Sequence, residues 1–132
     1  MTQGTVGVNI QAGSARAAVE QIAAAERAGI TAVWGTIGMS GGQDPMAAFS
    51  AAGVQTERVL MGTCIIQTWP RHPIVIAQQA LAIESLAPGR FRLGIGPAHQ
   101  PAMESTYGVT WRKPLTQLRE YLTVLRSLFD TG

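Results

Sequence analysis

The chain has 132 residues, 46% of them hydrophobic and 14% charged, with a formal net charge of +2, which suits one compact domain with a modest core. Its basic residues are scattered from Arg16 to Arg126 without a run or interleaved aromatics, so a nucleic-acid-binding face is not expected. No apolar run approaches the ~20 residues of a membrane span, the opening MTQGTVGVNIQ lacks the order of a secretory signal, and the lone Cys64 excludes an internal disulfide, so a soluble cytoplasmic protein without membrane partners is expected.

Thr5–Ile10 (TVGVNI) alternates apolar residues at Val6, Val8 and Ile10 and reads as a first strand. Ser14 is placed to cap a helix over Ala15–Ala28 that Gly29 ends, with Ala18, Val19, Ile22, Ala25 and Ala28 as its buried stripe. Thr31–Thr36 (TAVWGT) is the second strand, followed by the glycine-rich turn Gly38-Met39-Ser40-Gly41-Gly42. Asp44-Pro45 supplies a capping oxygen and a first-turn proline for a short alanine-rich helix over Met46–Gln55. Arg58–Ile66 (RVLMGTCII) is almost continuously apolar, as expected of a strand covered on both faces. Pro73 opens a third helix through Leu86, with Ile74, Ala77, Ala80 and Leu81 on one face, and Pro88-Gly89 stops it. Phe91–Ile95 (FRLGI) is the fourth strand. Residues 97–112 read as a long connection. Pro114 then starts a last helix, in which Leu115, Leu118, Leu122, Leu125 and Phe129 keep the clearest helical period in the chain.

The βαβαβαβα order, with strands recurring at roughly 26 to 32 residues, implies parallel strands and right-handed crossovers within a single domain over residues 1–132. Two α/β architectures fit it. One is a small open doubly wound sheet. The other is half of a (β/α)8 TIM barrel, a fold that normally needs about 250 residues.

Two stretches carry a resemblance that separates these. The run from Gly62 to Gln100 holds Gly62, Ile65, Trp69, Arg71, His72 and Pro73, then a helix, then Gly89, Arg90, Phe91, Leu93, Gly94, Ile95 and Gly96. In that order and spacing it resembles the third-to-fourth strand region of the bacterial luciferase-like superfamily, within it the deazaflavin-dependent oxidoreductases. The resemblance extends from Val6 to Phe129 and implies the first four βα units, the N-terminal half, of a (β/α)8 barrel. It implies an oxidoreductase that transfers hydride between reduced deazaflavin, coenzyme F420, and a small organic substrate. The alternatives are an FMN-dependent monooxygenase, or an inactive half-barrel that self-associates. The open strand edges of four units predict a homo-oligomer or a complementing half-barrel as partner.

The same resemblance implies a bulge in the third strand with a non-prolyl cis peptide at Cys64–Ile65, backing the cofactor ring with Ile65 or Ile66. It places Trp69 as a wall of the cofactor pocket, and Gly94 and Gly96 where backbone approaches a flat ring or a crowded neighbour. His99 is the candidate proton donor or acceptor, and Asn9, Thr36 and Gln100 are candidate substrate contacts. Several deazaflavin enzymes carry an Asp-His pair after the second strand; Trp34-Gly35-Thr36-Ile37 stands there instead, and Ile37 cannot relay a proton. Arg71 and His72 read better as structural residues of the turn than as anion contacts. Cys64, in an apolar setting, is not expected to be a nucleophile. Gly94-x-Gly96 lacks the third glycine and following helix of a dinucleotide fingerprint. His72 and His99 have no ligand partners at a metal-binding spacing, so no metal is expected.

Overall fold

The computed structural model describes residues 6–37 and 42–131; Thr5 and the turn at 38–41 lie outside the described residues. The elements are β1 (Gly7–Ile10), α1 (Ala15–Arg27), β2 (Ala32–Gly35), α2 (Pro45–Gln55), β3 (Leu60–Thr63), β4 (Ile66–Gln67), α3 (Pro73–Leu86), β5 (Phe91–Arg92), β6 (Ile95–Gly96), α4 (Gln100–Tyr107) and α5 (Pro114–Asp130). β1, β2, β3 and β5 form one parallel sheet in chain order, and β4 pairs with β6 beyond it. Four consecutive βα units produce this arrangement, because each helix returns the chain to lay the next strand beside the last.

The local signals act as anticipated. Ser14 Oγ accepts from the Ala17 amide at 3.1 Å, and Gly29 takes φ +82 beyond the end of α1. Asp44 Oδ1 accepts from the Met46 amide at 2.9 Å, with Pro45 opening α2. Helices cover one face of the sheet. There Ile22, Val33, Phe49, Met61, Ile76 and Ile83 are all but fully buried, each worth about 1.5–3 kcal/mol relative to exposure. The other face carries Asn9, Trp34, Gly62 and Arg92 side by side in register. Trp34, 36% exposed, lies across that face; a Cβ at either Gly7 or Gly62 would meet its ring, so both glycines make room for it.

The end of the sheet where the strands begin is pinned by two charged side chains. The Glu26 carboxylate at the end of α1 accepts from the amides of Glu57 (3.1 Å), Arg58 (2.7 Å) and Val59 (2.8 Å), fixing the entry to β3. Desolvation raises its pKa, but those three donors and the Arg58 charge outweigh it and hold the carboxyl below its ordinary value. Arg90, just before β5, donates to the carbonyls of Gly53 (2.7 Å), Thr56 (2.9 Å) and Val59 (3.4 Å) and to Thr56 Oγ1 (2.9 Å). It thereby satisfies carbonyls that α2 leaves unpaired at its end, on the buried residues Gly53 and Thr56.

Five expectations need correction. On α1 the buried residues are Ala18, Val19 and Ile22, and Ala28, at the C-cap, is exposed. The third and fourth strands are each interrupted, as β3/β4 and β5/β6. The connection at 97–112 contains α4, whose single buried residue, Met103, leaves too weak an apolar period to read. On α3 the buried face is Ile76, Ala77, Ala80 and Ile83, while Ile74 and Leu81 are exposed; that helix is apolar all round, so periodicity does not choose a side. On α5 the buried residues are Tyr121 and Leu125, and Leu115, Leu122 and Phe129 stay exposed, because the helix rolls toward α3.

Candidate functional site

The interruption of the third strand is a bulge. From Gly62 to Ile66 this strand advances four residues, while its partner advances three, from Arg92 to Ile95. One residue is therefore extra on the β3–β4 side. The Cys64–Ile65 peptide within the bulge is cis, as the resemblance implies. Thr63 repairs the interrupted ladder: its hydroxyl donates to the Gly94 carbonyl and accepts from the Gly94 amide, both at 2.8 Å. The Gly94 carbonyl also takes the Ile66 amide at 2.8 Å. A Cβ on Gly94 would collide with the Thr63 carbonyl, so the neighbour that Gly94 accommodates is the bulge.

Side chains beyond the bulge separate by face. Ile66 is fully buried in the helix-side core, and Thr68 Oγ1 reaches Gln117 of α5 at 2.9 Å on the same side. Alternation places Ile65 and Gln67 opposite, toward the open face. Ile65 lies over Gly96, where a Cβ would sit 3.2 Å from its Cδ1. Alongside, Asn9 Nδ2 donates to Thr36 Oγ1 at 3.4 Å, and the Thr36 hydroxyl donates to the Cys64 carbonyl at 2.7 Å. This chain of polar groups links the ends of the first three strands. Asn9, Thr36, Cys64, Ile65 and Gly96 are thus brought together, whereas Ile66 turns away.

The other candidates sit on the loops around this rim. Trp69 stacks on Trp111 at 5.0 Å between ring centroids, tilted by 32°, with its Nε1 buried and unpartnered. Arg71 is paired with Asp44 at 2.9 Å, and His72 Nδ1 caps α3 by accepting from the Ile74 amide at 3.3 Å. Both hold structural positions. Between Trp69, Arg71, His72 and α5 lies a shallow cavity of about 310 Å³, where burial pushes the Tyr121 phenol up to about 12, against the opposing charge of Arg71. Ala98, at φ 62, turns the chain from β6 into α4, a left-handed conformation that costs a non-glycine residue about 1–2 kcal/mol. His99 follows it, exposed and without a side-chain capping bond, and Gln100 spends its amide on Glu104 at 3.0 Å. A larger cavity of about 410 Å³ opens between Asn9, Thr36, Asp44 and Phe49. Among the described residues no group of three or more His, Cys, Asp or Glu is placed to hold a metal.

Sequence reasoning assigns no role to Gln67, Tyr107, Trp111 or Thr63. Gln67 is buried, and the Tyr107 hydroxyl donates to its Oε1 at 3.2 Å. The available signals were a polar residue closing an apolar strand and a Tyr-Gly step marking a helix end.

A family model described as luciferase-like monooxygenase matches residues 1–132. The chain belongs to this family. A Mycobacterium tuberculosis protein, named provisionally as a coenzyme F420-dependent oxidoreductase, is 36% identical over 110 residues, covering 83% of this chain and 31% of that protein. A phthiodiolone/phenolphthiodiolone dimycocerosates ketoreductase of Mycobacterium sp. strain JLS is 37% identical over 82 residues, 62% of this chain and 21% of that protein. The chain therefore spans about a third or less of the length of these curated relatives. Among solved structures, the FMN-bound oxygenating constituent of 3,6-diketocamphane monooxygenase from Pseudomonas putida superposes with a TM-score of 0.82 at 18% identity, over 96% of this chain and 40% of that one. The coenzyme F420-dependent tetrahydromethanopterin reductase of Methanopyrus kandleri gives 0.72 at 20% identity, over 92% and 39%. These luciferase-like neighbours decide between the two architectures: the four βα units have the fold of part of a (β/α)8 barrel, not of an open doubly wound sheet. The rim described above is then the strand-end face on which such barrels build their active sites.

Proposed function

We propose that this luciferase-like chain supplies the ring-facing part of a deazaflavin-dependent oxidoreductase, in which hydride passes between coenzyme F420 and a small organic substrate. The observation that carries the reading is the surface at the bulge. Ile65 lies over side-chain-free Gly96, and the Asn9–Thr36–Cys64 chain of hydrogen bonds runs beside them. An apolar platform with a polar margin fits a flat heteroaromatic ring. When bound, that ring supplies the hydride-donating or hydride-accepting carbon.

The chain's own residues position and protonate. Ile65 and Gly96 set the plane against which the ring rests. Thr36 donates to the Cys64 carbonyl and accepts from Asn9, which leaves one oxygen lone pair for a ligand donor and orients Asn9 in turn. His99, exposed at the head of α4, holds or releases a proton for the substrate. The 36% identity to the mycobacterial relative favours the deazaflavin.

Titration of the purified chain with coenzyme F420 and with FMN, followed by ring fluorescence, tests this directly. Saturable micromolar binding of F420 alone is expected. Preference for FMN transfers the reading to the monooxygenase branch, and no binding of either ring rejects it for this chain. In an assay of hydride transfer, His99→Ala is expected to lower turnover about 10²-fold or more with little change in ring affinity.

A further inference from the structure

We infer that Gln67 and Tyr107 form a hydrogen-bonding clamp for a carbonyl edge of the flat ring at the bulge. This rests on the ring-binding reading above and adds two residues to it. Gln67 lies in β4, two residues beyond Ile65 and paired in register with Gly96, so its side chain leaves the strand on the same open face as Ile65. It is only 4% exposed. A polar side chain that deeply placed is costly unless its groups are used. Its Oε1 is taken by the Tyr107 hydroxyl, while its Nε2 donates to no acceptor among the described residues.

Tyr107 fixes the direction of this donor. It occupies the last position of α4, where Gly108 at φ 64 ends the helix and donates to the Glu104 carbonyl. The residue is 41% exposed, so core packing does not account for it. Its hydroxyl instead bonds across 40 residues of sequence to orient one amide. With the oxygen side of that amide held by Tyr107, the Nε2 end is the part of the side chain left for a ligand. Among the described residues neither side chain is bonded to a charged group, so the matching ligand feature is a neutral acceptor. A ring carbonyl has that chemistry.

The test uses the intact chain with coenzyme F420 and FMN, reading affinity by fluorescence and the bound ring's carbonyl stretch by infrared difference spectroscopy. Gln67→Met, near in volume but without donors, is expected to weaken ring binding about tenfold and move a carbonyl band to higher frequency. Tyr107→Phe is expected to weaken binding several-fold, with a smaller shift in the same direction. Because Tyr107 is partly exposed, its variant stays folded even if a Gln67 variant does not, and circular dichroism establishes which are folded. Unchanged affinity and an unshifted band in folded Tyr107→Phe, where the wild-type chain binds the ring, overturn the clamp alone. If the wild-type chain binds neither ring, the ring-binding reading and the clamp fall together.

Discussion

A methyl group at Gly94 would run into the Thr63 carbonyl, and the backbone there has little freedom to yield. The Gly94 carbonyl already holds the Thr63 hydroxyl and the Ile66 amide. Gly94→Ala is therefore expected to destabilise the chain by about 1–3 kcal/mol, seen as a lower urea midpoint. Gly13→Ala, with nothing within 4 Å of the added carbon, is the control expected to be neutral or slightly stabilising. Arg90 presents a second case. Arg90→Met keeps much of the volume but strips three acceptors at the end of α2 and one at the entry to β3 of their donor, and should cost about 2–4 kcal/mol in the same measurement. The Cys64–Ile65 cis bond was accessible from the chain through its resemblance. The Thr63–Gly94 exchange and the Gln67–Tyr107 bond were not. They join residues 31 and 40 apart, and no local pattern records such a pairing.

Helices are most legible in the sequence where a chemical signal marks their ends. Ser14, Asp44-Pro45, Pro73 and Pro114 each stand where an element starts, because a cap or a fixed φ acts within one turn. Facing was less legible. The alanine-rich α2 and apolar α3 present similar surfaces on every side, so the side that is buried is decided by neighbours far along the chain. Glu26 shows how one element fixes another: the end of α1 fastens the start of β3 through three amides. Its pKa is lower in the folded chain than in the unfolded one. The stability it contributes is thus complete above the ordinary carboxylate range and is lost as pH falls through the folded value. Urea unfolding at a series of acidic pH values should show the wild type losing its advantage over Glu26→Gln as pH drops, with the largest gap near neutrality.

For the molecule as a whole, the two ends of the sheet do different work. Glu26 and Arg90 hold the end where strands begin, and the bulge, Asn9, Thr36 and His99 lie where strands finish. Substitutions at the rim can change binding without loosening the anchors, and those at the anchors can unfold the chain without touching the rim. The face bearing Trp34 is the exception, since there a large apolar ring, 36% exposed, lies over two glycines between Asn9 and Arg92. The folded chain should bind an environment-sensitive apolar dye there, and Trp34→Ser should reduce the dye signal by roughly half while the circular dichroism spectrum is retained. A different consequence follows from the order β1-β2-β3-β5, in which every strand of the main sheet lies beside the one made before it. During synthesis the chain emerges from its N-terminus, so each strand leaves the ribosome with its pairing edge already in place. Assembly of the sheet can keep pace with translation, and no strand after β1 must wait for a first partner not yet made.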